Sequence, residues 1–80
     1  MKVKDLIKEL SKLDENLDIL CYTEDEELVP SEDLFRILAI DSVDTTVAEK
    51  TRLEDGTPSL KFGESELSQK HATINVTSTF

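Results

Sequence analysis

The sequence predicts an α+β fold, with one N-terminal amphipathic helix packed on a mainly antiparallel sheet of about five or six strands. Three observations carry that prediction. Apolar residues recur at helical spacing from Val3 to Leu13. From Leu17 onward the apolar pattern has period two, and it is cleanest over the last ten residues. The connections between these runs are short, whereas parallel strands need crossovers of a dozen or more residues. At 80 residues the chain is sized for one domain, residues 1–80, with a thin core.

The helix comes first. Val3, Leu6, Ile7, Leu10 and Leu13 fall within an arc of about 120°, and Lys4, Asp5, Lys8, Glu9 and Lys12 fill the polar side. Asp14-Glu15-Asn16 is expected to end it, because Asn tolerates the left-handed conformation common at helix C-termini. Leu17–Tyr22 then alternates, with Leu17, Ile19 and Cys21 on one face and Asp18, Leu20 and Tyr22 on the other. Thr23–Glu27 reads as an acidic turn. Leu28-Val29-Pro30 reads as a short return strand that Pro30 confines to an edge.

Residues Leu34–Ile40 are apolar on both faces apart from Arg36, which suits a central strand or a short buried helix. Val43–Leu53 is rich in β-branched residues and is expected to pair with its predecessor around a bend at Asp41–Asp44. Glu54–Pro58 is a turn, since Gly56 supplies positive φ. Leu60 and Phe62 mark a short strand, followed by a polar connection from Gly63 to Lys70. In the last strand Ala72, Ile74, Val76, Ser78 and Phe80 share one face; His71, Thr73, Asn75, Thr77 and Thr79 share the other. One helix cannot cover a sheet with apolar residues on both faces, so either the sheet curls on itself or a second subunit packs there; of the two, a homo-oligomer, in the simplest case a homodimer, is the favoured expectation.

Charge narrows the function. Eighteen acidic residues against nine basic ones give a net charge of −9. That field repels phosphate backbones and anionic lipid, which disfavours direct nucleic-acid and membrane binding. Half the acidic charge lies between residues 14 and 33, where Lys and Arg are absent. Asp18, Glu24, Asp25, Glu26, Glu27, Glu32 and Asp33 therefore form a candidate surface for a basic host protein. The polar strand face of His71, Thr73, Asn75 and Thr77 is either a solvated surface or, with Lys61, Lys70 and Arg52, the lining of a pocket for a small anion.

Enzyme signatures are sparse. Two glycines allow no phosphate-binding glycine loop. His71 is the sole histidine and stands beside no recognisable Ser or Cys nucleophile. Glu24-Asp25-Glu26-Glu27 lacks the alternating ligands and central Gly of a calcium loop. Cys21 is read as a small buried hydrophobe, and the Asn75-Val76-Thr77 sequon as chance. No catalytic residue, metal or cofactor is expected. Nor does MKVKDLIKEL read as a signal peptide, which makes a cytoplasmic location the expectation.

The opening resembles small uncharacterised proteins encoded by bacteriophages and prophages, on Val3, Leu6, Ile7, Leu10, Leu13, Asp18 and Ile19. The ending, Ala72-Thr73-Ile74-Asn75-Val76-Thr77-Ser78, looks like the terminal strand of such proteins. Where they often carry a capping Thr at position two, this chain has Lys2. The resemblance implies a setting, the cytoplasm of an infected or lysogenic bacterium, and no catalytic residue to carry over. The expected function is a non-enzymatic accessory protein acting by protein–protein binding or self-association. The alternative is an anti-defence protein, either an acidic nucleic-acid mimic or a sponge for a nucleotide signal.

Overall fold

Lys2 caps the helix with its backbone, since its side chain cannot accept a hydrogen bond. Its conformation is extended (φ −100°, ψ 162°), and its N–H donates to Asp5 Oδ2 at 2.9 Å. In the structure, a computed structural model describing Met1–Phe80, helix α1 spans Val3–Leu10. It stops short of the 3–13 periodicity. The Ser11 hydroxyl donates to the Lys8 carbonyl at 2.7 Å, and the next two N–H groups turn to carbonyls three residues back, Lys12 to Glu9 and Leu13 to Leu10. No residue other than glycine has positive φ, so Asn16 does not terminate the helix in the expected left-handed form. It instead donates its N–H to Asp14 Oδ1 at 2.9 Å.

Four strands follow: β1 Leu20–Thr23, β2 Arg36–Arg52, β3 Pro58–Phe62 and β4 Gln69–Thr77. They form one antiparallel sheet, in which β1, β3 and β4 all pair with β2. Strand β1 lies in register Leu20↔Ala39 to Thr23↔Arg36, and β3 in register Ala48↔Phe62 to Arg52↔Pro58.

The α+β class and the antiparallel sheet are as expected, but the sheet has four strands and not five or six. Two differences account for this. The stretches 34–40 and 43–53 are not a hairpin; they belong to one continuous 17-residue strand. Asp41-Ser42-Val43-Asp44 contains no Gly, Pro or Asn to reverse the chain, and β-branched residues follow it. Leu28-Val29-Pro30 is not a strand either. The N–H groups of Leu28 and Val29 both donate to the Asp25 carbonyl, at 2.9 and 3.0 Å, in a helix-like turn. Asp25 holds the start of that turn by accepting from Glu27 N–H at 3.0 Å.

The β2–β3 connection is the turn the sequence announced. Leu53 N–H donates to the Thr57 carbonyl and Gly56 N–H to the Leu53 carbonyl, both at 2.9 Å. Gly56 sits at φ +87° with open space around its missing Cβ, so only backbone strain opposes a side chain there. Gly56→Ala is expected to cost about 1 kcal/mol, read as a lower urea midpoint at unchanged slope. Hydrogen bonds from the Thr57 side chain and backbone hold the Asp55 carboxyl below its ordinary pKa. A depressed folded pKa means that this turn's stabilisation is present above the ordinary carboxylate range. It is lost as pH falls through the folded value, and an NMR titration placing Asp55 below free aspartate checks the sign.

The chain divides into two units, Met1–Ser42 with Asn75–Phe80, and Val43–Ile74. The second unit contains Ala48, which is fully buried; no residue of the first unit is. The apolar stripe of α1 is accordingly not covered as expected of a helix packed on a sheet. Val3, Ile7 and Leu13 are all more than half exposed.

Candidate interaction surfaces

The acidic stretch is exposed throughout. Asp18, Glu24, Asp25, Glu26, Glu27, Glu32 and Asp33 all face solvent, but they do not act as one cluster. Asp18 stands on the rim of a groove beside α1. Glu24, Glu26 and Asp33 line a separate hollow of about 460 Å³ with Val29, Pro30 and Leu34. Asp25 is occupied in the turn geometry described above. Glu24 accepts a hydrogen bond from the Tyr22 hydroxyl, and that bond pushes the Tyr22 pKa above its ordinary value. The Tyr22 ring in turn stacks on Phe35, with centroids 5.6 Å apart and planes 24° from parallel.

The last strand inverts the usual reading of alternation. Its polar residues His71, Thr73, Asn75 and Thr77 are the half-buried ones, while Ile74 and Val76 are 42% and 46% exposed. The polar side chains are engaged with β2. Thr73 Oγ1 donates to Thr46 Oγ1 at 2.7 Å, and Asn75 Nδ2 donates to Ser42 Oγ at 2.8 Å. Thr77 Oγ1 accepts from Thr79 N–H at 3.1 Å, and the buried Nδ1 of His71 has no partner. Of the cations that might have joined a pocket here, Arg52 donates to the Gly56 carbonyl at 2.7 Å, and Lys61 lies opposite Glu49 in the β2–β3 ladder. Thr73→Val removes one partly buried hydrogen bond and is expected to cost about 1 kcal/mol. Thr45→Val, at an exposed neighbouring position, should change stability by less than about 0.5 kcal/mol. Paired urea titrations separate the two.

The third surface was not recognised from the sequence. Ile7 and Leu10 of α1, together with Leu13, Leu17, Ile19 and Leu20, line a groove of about 590 Å³. Ser11, Asp14, Glu15 and Asp18 border it. Its signal was present, since the apolar stripe of the helix continues past its end into Leu13 and Leu17. The change from helical spacing to period two between Leu13 and Leu17 masks the continuity of that run. Between the two halves lies the turn after α1, in which Leu17 N–H donates to the Asp14 carbonyl at 3.2 Å.

The whole chain exposes 7390 Å² of surface. Nineteen large apolar residues contribute to the exposed surface, and they lie in both units. No helix is long and apolar enough to cross a membrane. Comparison with protein-family models, with curated proteins and with solved structures finds no match to this chain.

Proposed function

We propose that this chain is a non-enzymatic accessory protein that acts by protein–protein contact, first of all with further copies of itself. The observation that carries the reading is the exposed apolar surface: one residue is buried in the entire chain, against nineteen large apolar residues left open. Monomeric soluble proteins rarely leave contiguous apolar patches beyond a few hundred Å² uncovered. The bacteriophage or prophage setting rests on the resemblance of Val3, Leu6, Ile7, Leu10, Leu13, Asp18 and Ile19 to small phage proteins. Sedimentation across a hundredfold range of concentration tests the association, together with a melting temperature that rises with concentration. A single 9 kDa species with a concentration-independent melt would remove it.

A second reading has its own support. Glu24, Glu26 and Asp33 border a hollow that also presents Val29, Pro30 and Leu34, a mixture suited to a basic partner with an apolar anchor. On this reading the protein is an anti-defence factor that occupies a nucleic-acid-binding cleft. Binding to such a partner should weaken with salt and with Glu24→Gln, Asp25→Asn, Glu26→Gln and Glu27→Gln combined. Insensitivity to both would end it.

A further inference from the structure

We infer that the outer edge of β4 is closed by the β4 edge of a second copy, the two strands running antiparallel about a two-fold axis. This rests on the self-association reading and gives it a surface and a geometry.

The first ground is where the backbone of β4 points. Leu53 donates its N–H to the Thr57 carbonyl, and the Val47 carbonyl accepts from Gly63 N–H, so the odd-numbered residues in this part of β2 bond towards β3. Successive residues of a strand turn their bonding groups to opposite edges, which aims Thr46 and Ala48 towards β4. Thr46 stands across from Thr73, their hydroxyls 2.7 Å apart. Thr73 therefore bonds to β2 through its backbone. Lys70, Ala72 and Ile74 turn their N–H and C=O groups to the opposite side. All three are exposed, β2 is the one strand that pairs with β4, and no loop backbone bonds to them.

The second ground is what this edge lacks. Natural proteins protect their edges by keeping them short, or by placing proline, bulges or charge along them. Strand β1 has four residues, and β3 begins at Pro58 and carries Lys61. Strand β4 has nine residues, no Pro or Gly, and Lys70 as its one charge. An unprotected edge of that length is a template for another extended strand.

The third ground selects the strand that fills it. A two-fold contact uses the same patch on both copies, so the outward groups of each β4 bond to the outward groups of the other, even-numbered residues against even-numbered ones. Such a pair sets Ala72 and Ile74 of the two copies side by side on one face. His71 and Thr73 meet their counterparts on the other, and both faces of the sheet continue across the join. Aliphatic pairs and Thr–Thr pairs are among the stabilising cross-strand neighbours. A parallel two-fold pairing through the same edge would turn one copy over and set its apolar face level with the polar face of the other. Residues 71–80 are also the longest run in the chain without a charged side chain. In a chain of net charge −9, two copies meet along it without opposing carboxylates.

Two measurements on the full chain test the pairing. In the first, Lys70→Cys, Ala72→Cys, Ile74→Cys and Val76→Cys, each in a Cys21→Ser background, carry nitroxide labels. The distance between the two labels of a dimer should be shortest at one centre along β4. It should grow by up to about 14 Å for every two residues moved away from that centre, since each residue adds its rise in both copies. In the second, Ala72→Pro removes an outward N–H from each copy, two hydrogen bonds per pair, and leaves the bonds to β2. Its Kd should rise about tenfold or more with the circular dichroism of the wild type retained. Thr73→Pro removes a bond to β2 and should lose that signal. The labels leave every backbone bond in place and decide the matter even where Ala72→Pro fails to fold.

Labels that stay far apart at all four positions in an associating chain, or a folded Ala72→Pro with a Kd within about threefold of the wild type, overturn the edge as the interface and leave self-association intact. Equal short distances at all four positions overturn the antiparallel setting. A wild-type chain that is monomeric at every concentration overturns both this inference and the reading beneath it, and leaves the edge to an extended segment of another protein.

Discussion

Replacing Ala48 with Asp is expected to unfold the second unit. Ala48 is fully buried, on β2, opposite Phe62 of β3. A carboxylate there must either lose its hydration with no cation bonded to it or force the strands apart. An unpaired buried charge costs at least about 3 kcal/mol, a large part of the stability of a domain this small. The expected result is loss of the β-sheet circular dichroism signal, or a collapse of amide dispersion for residues 43–74. Ala48→Gly is the control: it keeps the space open and should cost no more than about 1 kcal/mol. An Asp variant that melts with the wild type would mean that position 48 is not enclosed.

The second large effect concerns association. Ala72→Asp combined with Ile74→Asp places two charges per copy on the outer edge of β4. A fully covered Ile side chain is worth about 1.5–3 kcal/mol; each copy loses one, and the new carboxylates face carboxylates across the two-fold. The dimer Kd is expected to rise by at least about a hundredfold, equivalent to about 2.8 kcal/mol. Glu9→Ala, on the polar side of α1, removes only the exposed 3.1 Å ion pair with Lys12 and should leave the Kd within about threefold. Analytical ultracentrifugation over matched concentrations reads both. A hundredfold loss in the Glu9 variant as well would point to general unfolding and not to a specific surface.

How far the molecule could be read beforehand depended on the kind of signal. The helix was legible because five apolar residues share one arc, and β3 because a Gly-Thr-Pro turn announces it. The length of β2 was not legible. Two acidic residues at 41 and 44 looked like a bend, yet polarity alone does not reverse a chain; a residue that takes positive φ, or a proline, usually does. The last strand shows a different limit. Period-two alternation separates two faces but does not say which is inside. Thr and Asn can satisfy one another across a strand pair, as Thr73 with Thr46 and Asn75 with Ser42 do. A polar face can then be the covered one. The acidic surface was legible as charge, but its division between a groove at Asp18 and a hollow at Glu24, Glu26 and Asp33 required coordinates.

A chain that encloses a single alanine also has an abundance threshold. If copies of the chain supply the missing cover, the folded population depends on how many copies a cell contains. Below the dissociation constant, open chains would be cleared by proteases; above it, the protein would accumulate abruptly. Gene dosage would then act as a switch. Half-life measured against expression level should rise steeply over a narrow range, and a constant half-life would show that each chain persists alone.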